Sequence, residues 1–130
     1  MKTLLTIFTL LFTVMIPSIS FAGWTRVGEG SDGTNYYIDF DRIRKHDGYV
    51  YWWDMSDYLK PDKNGNLSVK IYQQGDCKLF RNKRLSYSYH KLPMGGGTGK
   101  VLEPTRENAN WKYPSPDTAN KFILKVVCSQ

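Results

Sequence analysis

The first 22 residues have the composition of a cleavable secretory signal, and this segment constrains the fold of the whole remaining chain. Lys2 supplies a positive charge, residues 4–16 form an uncharged apolar run, and Ser20-Phe21-Ala22 has the small-x-small pattern that signal peptidase recognises. The apolar run is 13 residues long, whereas a helix that spans a bilayer needs roughly 20. We therefore predict cleavage after Ala22 and export of residues 23–130 as one domain, which would reside in the periplasm, at the cell surface or in the medium.

Two cysteines, Cys77 and Cys128, lie in the part of the chain that we predict to be exported. An even number of cysteines in an oxidising compartment predicts a disulfide bond, here a single one between these two residues. The bond would close a loop of about 50 residues and, by restricting the unfolded chain, stabilise the fold by about 4 kcal/mol. A domain of this length has only a small core, so we expect the covalent link to supply a large share of its stability.

Alternating apolar and polar residues predict an antiparallel sheet in the first part of the domain. Residues 24–27 and 34–38 have strand composition and flank a Gly-rich turn, which predicts one hairpin. Residues 49–58 and 67–72 alternate more clearly, and they flank an Asn64-Gly65 step that suits a hairpin turn. One face of the strand 49–58 carries the odd-numbered side chains, which are Tyr49, Tyr51, Trp53 and Met55.

The second half of the domain shows weaker strand signals. Residues 78–89 have strand composition, but Asn82-Lys83 interrupts the alternation and predicts a turn or bulge at that point. Residues 94–99 form a Gly-rich loop, and residues 100–103 are predicted to form a last short strand. These segments would complete the sheet that begins with the two hairpins.

The last 16 residues have the pattern of one amphipathic helix. Ser115 precedes Pro116, the order of an N-cap and a first helical residue, and the helix is expected to end at Cys128. The fold class that we predict is α+β, with an antiparallel sheet covered by this C-terminal helix. The apolar stripe would consist of Ala119, Phe122, Ile123, Val126 and Val127.

No group of residues has the spacing of a catalytic, metal or cofactor site. The Gly-rich segment 95–100 superficially resembles a phosphate-binding loop but lacks its spacing. His46 and His90 have no second ligand at metal-binding spacing. Asp54 and Asp57 would suit a carboxylate pair for acid–base catalysis, but a solvated strand face and a turn explain them more simply. We predict a non-enzymatic protein without a cofactor or a bound metal.

The basic charge is concentrated in one stretch, since residues 78–102 contain six basic residues and no acidic one. Tyrosine and arginine together are typical of protein-recognition surfaces, and export argues against nucleic acid as the partner. We predict contact with an acidic protein surface or an anionic glycan. The alternative is a solvated strand edge whose charge deters aggregation. The candidate partner-binding residues are Lys78, Arg81, Lys83, Arg84, Tyr87, Tyr89 and Lys91.

Nine short elements follow one another along the domain. They are Trp24-x-x-Val27, Tyr36-Tyr37-Ile38-Asp39, Ile43-Arg44, Trp53 with Asp57-Tyr58, Asp76-Cys77, Arg84-Leu85, Met94 with Gly99, Trp111 and Val127-Cys128. In order and spacing they resemble the surface-adhesin protein E family of small exported bacterial proteins. The resemblance covers nearly all of residues 23–130 and implies a single domain with an antiparallel sheet, a C-terminal helix, a disulfide at the two cysteines and no cofactor. It also implies adhesion to host extracellular-matrix and plasma proteins.

These observations predict an exported, non-enzymatic, adhesin-like protein that contacts host matrix or other macromolecules through a basic surface. An alternative is a periplasmic structural or envelope-associated protein, because Gly23 rather than a cysteine follows the predicted cleavage site and offers no thiol for lipid attachment. No stretch after Ala22 is long and apolar enough to predict a membrane span. The sequence leaves the oligomeric state undefined.

Overall fold

The computed structural model describes residues 23–130, so the predicted signal segment lies outside the described part of the chain. This part contains seven antiparallel strands and one α-helix. None of its helices has the length and hydropathy needed to cross a bilayer. The elements are β1 (Trp24–Glu29), β2 (Asn35–Asp39), β3 (Arg44–His46), β4 (Tyr49–Asp57), β5 (Ser68–Asp76), β6 (Arg81–His90), β7 (Val101–Leu102) and α1 (Ala119–Cys128).

The strands form one sheet in the order β1-β2-β4-β5-β6-β7, and β3 pairs with the beginning of β4. The two predicted hairpins are confirmed as the pairs β1–β2 and β4–β5. In the turn between β4 and β5, the backbone N–H of Gly65 donates to the carbonyl of Asp62 at 2.9 Å. The carboxylate of Asp62 accepts two further backbone hydrogen bonds across this turn. The predicted fold class, an antiparallel sheet with one C-terminal helix, is therefore confirmed.

The strand registers divide the side chains between two faces of the sheet, which we call the helix face, covered by α1, and the open face. Val50 lies opposite Gly75, and both belong to the helix face. Because side chains alternate along a strand, the neighbouring Tyr51 and Trp53 of β4 belong to the open face. The same alternation assigns every paired strand residue to one of the two faces.

The hydrophobic core lies between α1 and the helix face. A Cβ atom at Gly75 would come within 2.7 Å of the Trp52 ring and 3.0 Å of Leu124, so only glycine allows the helix to approach β5 this closely. The buried residues of this core are Ile38, Val50, Trp52, Ile123, Leu124 and Val127.

The helix begins later than the sequence predicts. Ser115 is not its N-cap; that position is taken by Thr118, whose Oγ1 accepts a hydrogen bond from the backbone N–H of Lys121 at 3.3 Å. The reason is that Asp117 has a positive φ of 60°, which a right-handed helix starting at Ser115 does not allow. Pro116 therefore belongs to the preceding loop.

The buried stripe of α1 also differs from the predicted one. Ile123 and Val127 are buried as predicted, but Leu124, which lies outside the predicted stripe, is completely buried. Phe122 of the predicted stripe is 45% exposed. The contact of Leu124 with the glycine of β5 sets the rotation of the helix, and local periodicity does not contain that contact.

The strand β6 starts at Arg81, whereas the sequence predicts a strand from Lys78. The carboxylate of Asp76 accepts hydrogen bonds from the backbone N–H groups of Lys78 and Leu79 at 3.1 and 3.2 Å. Aspartate favours turns through such side-chain to backbone hydrogen bonds, so the residues between β5 and β6 form a tight turn.

The predicted interruption at Asn82-Lys83 is wrong, because both residues pair regularly with β5. The register of β6 shifts instead at Leu85, which lies between the partners of Tyr72 and Gln73 and has no partner of its own. One extra residue in a strand is a β-bulge, and it changes the phase of the alternation. The side chains before and after Leu85 therefore do not follow one simple odd–even rule.

The predicted disulfide bond between Cys77 and Cys128 is confirmed. It joins the turn after β5 to the last residue of α1, with the two Cα atoms 5.6 Å apart and a sequence separation of 51 between the cysteines. The bond therefore attaches the C-terminal end of the helix two residues from Gly75, the glycine that contacts Leu124.

We expect reduction of the disulfide to lower the free energy of unfolding by about 4 kcal/mol, because the unfolded chain regains the freedom of a long loop. Urea unfolding with and without reductant, followed by tryptophan fluorescence, measures the difference. The Cys77→Ala/Cys128→Ala variant is the control, since reductant has no bond to break in it. Equal stability of the oxidised and reduced wild-type protein would contradict the prediction.

Candidate binding surface

The open face carries half-buried aromatic side chains from separate segments of the chain. Trp53 of β4 lies opposite Tyr72 of β5 with the ring centroids 5.0 Å apart, and Tyr51 lies 6.4 Å from the same tyrosine. Cross-strand aromatic pairs of this kind stabilise a sheet. We call the whole group the aromatic cluster; it consists of Trp24, Tyr49, Tyr51, Trp53, Tyr72 and Trp111.

One end of the aromatic cluster contains the guanidinium group of Arg42. Its Cζ atom lies 5.8 Å from the centroid of the Trp24 ring and 5.3 Å from that of Trp53. The Arg42 Nε donates a hydrogen bond to Oδ2 of the buried Asp39 at 2.6 Å. An ion pair and two cation–π contacts therefore hold this arginine between the two tryptophans.

The other end of the aromatic cluster is formed around Trp111. Its ring lies 5.5 Å from that of Tyr49, and the cationic groups of Arg81 and Lys83 lie 4.4 and 4.7 Å from its centroid. The guanidinium of Arg81 also donates to Asp76 Oδ2 at 3.0 Å. The charge of Arg81 is thus compensated, whereas the ion pairs within residues 23–130 do not include Lys83.

The Gly-rich loop covers a different part of the open face. The backbone N–H of Met94 donates to Asp57 Oδ1 at 2.7 Å, and that of Gly95 donates to the hydroxyl of the buried Ser68 at 2.8 Å. The loop is therefore packed on the sheet by its own backbone groups. Asp57 lies on the open face and Asp54 on the helix face, so the two carboxylates do not form the pair that acid–base catalysis would need.

The seven predicted partner-binding residues do not lie on one surface. Arg81 and Lys83 belong to the open face, because they lie opposite Asp76 and Gln74 of β5. Lys78 is exposed in the turn before β6. These three residues are at the same end of β6, and two of them contact the ring of Trp111.

The other predicted residues lie elsewhere. Arg84 precedes the bulge and belongs to the helix face, as do Tyr87 and Tyr89 after it, and the two tyrosine rings are 5.7 Å apart in an edge-to-face arrangement. Lys91 follows β6, and its Nζ donates to the carbonyl of Asn64 in the β4–β5 turn. A basic stretch that is continuous in the sequence is thus divided between three parts of the molecule, because side chains alternate along a strand.

Sequence reasoning did not identify Trp24, Arg42 and Trp111 as members of a surface. The odd-numbered aromatic residues of β4 were a visible signal for one face of that strand. For Trp111 the sequence contains no such signal, because a backbone bridge between Asn82 and Lys112 brings this residue to the sheet from a loop. Only the tertiary contact reveals it.

A buried polar network lies on the helix face. The Oδ2 atom of Asp54 accepts hydrogen bonds from Trp52 Nε1 at 2.7 Å and Gln73 Nε2 at 2.6 Å. Gln73 accepts from the amide of Asn82 at 2.5 Å, and Asn82 exchanges hydrogen bonds with Asn120 of α1. Burial raises the pKa of Asp54 to about 6, against the lowering effect of its two hydrogen bonds. The network links three strands to the helix.

We expect Asp54 to lower the stability of the wild-type protein as the pH rises towards neutrality. The Asp54→Asn variant should not show this loss. The pKa of Asp54 is about 6 in the folded protein, against its ordinary value of 3.8. Its contribution to the free energy of unfolding is therefore complete when the pH is below the ordinary pKa, and it is lost as the pH rises through the pKa of the folded protein. The variant keeps an oxygen that can accept both hydrogen bonds. At neutral pH, the loss of unfolding free energy that Asp54 causes amounts to about 3 kcal/mol.

Urea unfolding of both proteins over a pH range from the ordinary pKa of Asp54 to neutrality measures this loss. The comparison with the variant is needed because several other carboxylates have lowered pKa values and give the opposite slope; these are Asp32, Asp62 and Asp76. Parallel pH profiles for the two proteins would show that the carboxyl of Asp54 does not take up a proton on folding.

Comparisons with known proteins agree with this architecture. The profile of the surface-adhesin protein E family matches residues 24–129. The crystal form II structure of Haemophilus influenzae protein E has a TM-score of 0.62 and 18% sequence identity, with 87% of this chain and 92% of that chain covered. A second structure of Haemophilus influenzae protein E has a TM-score of 0.60 and 18% identity, with 87% and 89% covered. No curated protein matches the sequence significantly.

The two kinds of comparison carry different weight. At 18% identity the likeness to the solved structures establishes the fold alone. The family profile extends over nearly every described residue, including both cysteines and the aromatic cluster. The chain belongs to the surface-adhesin protein E family.

Proposed function

We propose that this protein is an exported, non-enzymatic adhesin that binds host extracellular-matrix macromolecules through the open face of its sheet. Membership of the surface-adhesin protein E family supports an adhesin-like role. The observation that carries the choice of surface is the aromatic cluster, whose half-buried rings contact arginine and lysine side chains. Tyrosine, tryptophan and arginine are the residues most enriched among those that dominate binding energy.

The charges around the aromatic cluster favour an acidic partner. Arg44 is exposed and lies opposite Tyr51, while Lys83 lies at the other end of the same face. Neither takes part in the ion pairs found within residues 23–130. Unpaired cations beside aromatic rings attract negatively charged groups, and salt weakens that attraction.

The groups that the sequence offers for catalysis have structural roles, which supports a non-enzymatic protein. Both cysteines form the disulfide bond. Asp54 belongs to the buried network, and Asp57 accepts a backbone hydrogen bond from the Gly-rich loop. His90 is buried with its Nε2 atom 2.8 Å from the hydroxyl of Ser88.

We expect Arg44→Glu/Lys83→Glu to weaken binding to immobilised extracellular matrix at least about tenfold, because two attractions become repulsions. Interferometry at low and moderate salt measures the affinity. The matched control is Lys60→Glu/Lys63→Glu, which makes the same change in net charge in the exposed loop between β4 and β5. An equal loss in the control, or unchanged binding of the first variant with an unchanged melting temperature, would exclude the open face as the binding surface.

Export by removal of residues 1–22 is part of this proposal, and the environment of Gly23 supports it. A Cβ atom on Gly23 would lie 2.9 Å from Asp39 Oδ1 and 3.3 Å from Asp41 Oδ2. Asp39 is 3% exposed, and its Oδ1 has no hydrogen-bond partner within the described residues. Cleavage after Ala22 would create an ammonium group on Gly23, whose Cα lies close to these two carboxylates, and their negative charge would stabilise it.

We expect protein that begins at Gly23 to be about 1–2 kcal/mol more stable than protein that retains Ala22, at a pH where the amino group is charged. The Asp39→Asn substitution should abolish this difference. Urea unfolding of the proteins with and without Ala22, each with and without the Asp39→Asn substitution, forms a double-mutant cycle. The cycle separates the effect of the terminal charge on stability from the effect of losing the contact of Asp39 with Arg42. Equal stabilities would refute the terminal ion pair, and N-terminal sequencing of exported protein that found another first residue would refute the cleavage site.

A further inference from the structure

A small cationic cleft lies at the outer edge of β6, next to the end of the open face that contains Trp111. Its volume is about 320 Å³. Two lysines, one arginine and three asparagines line it, and no acidic residue does. We call it the edge cleft; its residues are Asn82, Lys83, Arg84, Asn108, Lys112 and Asn120.

The fold brings these residues together from three segments. The backbones of Asn82 and Lys112 form a bridge with N–O distances of 3.0 and 2.8 Å, which attaches the loop before α1 to β6. Lys83 and Arg84 are adjacent in β6, so their side chains start on opposite faces of the sheet and reach the cleft from two sides. Asn120 comes from the first turn of the helix.

The positive charges of the edge cleft are not neutralised by ion pairs, although the buried carboxyl of Asp54 attracts the charge of Arg84 from the helix face. Lys83, Arg84 and Lys112 are absent from the ion pairs found in residues 23–130. The ammonium group of Lys112 donates only to the neutral Asn108 Oδ1, at 3.3 Å. Like charges around one small cleft repel each other, and a bound anion would relieve that repulsion. The arrangement therefore favours an oxyanion over a neutral ligand.

We propose that the edge cleft binds the sulfate groups of a sulfated polysaccharide. A tetrahedral sulfate presents acceptor oxygens in several directions, which suits three cationic donors, two from opposite faces of β6 and one from the loop before α1. Arginine in particular favours such anions because its planar guanidinium donates several hydrogen bonds. This inference rests on the proposed function, because it names the class of matrix component that the adhesin contacts.

A polymer with repeated charges fits the surroundings of the edge cleft better than a folded acidic protein does. The cleft has room for one anionic group and a sugar unit, whereas a broad protein surface would contact only its rim. Lys83 belongs both to the cleft and to the open face, where its Nζ lies 4.7 Å from the Trp111 ring. Successive sulfates of one chain can therefore contact the cleft and the cations beside the aromatic cluster.

The test compares four probes with the purified exported protein: heparin, hyaluronate, dextran and inorganic sulfate. Heparin is sulfated, hyaluronate carries carboxylates alone, and dextran is neutral. We expect calorimetry at moderate salt to show binding of heparin, at least about tenfold weaker binding of hyaluronate, none of dextran, and competition by inorganic sulfate.

Variants locate the site. Arg84→Glu/Lys112→Glu should weaken heparin binding at least about tenfold, whereas Arg84→Lys/Lys112→Arg should retain it. Lys60→Glu/Lys63→Glu makes the same change in net charge as the first variant in an exposed loop between β4 and β5, and should have little effect. Unchanged melting temperatures verify that all variants fold.

Several results would overturn the inference. Equal losses in the two glutamate variants would mean general charge attraction, and equal affinity for heparin and hyaluronate would exclude selection of sulfate. Matrix binding that persists after enzymatic removal of sulfated chains, with no heparin binding, would refute the edge cleft but leave the proposed adhesin function intact. Heparin binding without any binding to matrix would instead refute the proposed function. Capture of an acidic protein by the cleft, with heparin excluded, would replace the polysaccharide by that partner.

Discussion

The close approach of α1 to β5 is the contact on which the rest of the structure depends. Gly75 leaves space for Leu124 and the ring of Trp52, and the Cys77–Cys128 bond holds the end of the helix nearby. This contact sets the rotation of the helix and completes the core on one face of the sheet. Because the described residues contain a single α-helix to cover that sheet, the other face is covered only in part, by the Gly-rich loop, and its aromatic cluster stays half exposed.

The open face is stabilised differently from the helix face. Its aromatic rings pack on each other and on arginine and lysine groups instead of on a second layer of backbone structure. Such contacts keep large rings ordered while part of their surface remains accessible. The same side chains that protect the sheet thus suit recognition of another molecule. Lys83 belongs both to this surface and to the edge cleft, so the two proposed binding regions adjoin each other at this residue.

Local patterns predicted the hairpins, the disulfide and the existence of the helix, because turn residues, alternation and cysteine number act over short distances or through compartment. They did not predict features that depend on contacts between residues distant in the sequence. The start of α1 depends on the positive φ of Asp117, and its buried stripe depends on the glycine of β5. For the candidate site, the alternation in β4 predicted one aromatic face. The basic stretch, in contrast, was expected to form a basic surface, but its residues do not lie on a single one. The bulge at Leu85 and the alternation of β6 divide that stretch between faces.

The sequence by itself determined the two hairpins, the presence of a C-terminal helix, the pairing of the two cysteines and the concentration of positive charge near β6. These properties follow from local backbone preferences and from composition. Only the tertiary structure decided which charges are neighbours. Trp111 and Lys112 reach β6 from a loop through a backbone bridge, and Arg42 reaches two tryptophans that are distant from each other in the chain. A surface is made by residues that the sheet brings side by side, and that adjacency depends on strand order and register rather than on position along the chain.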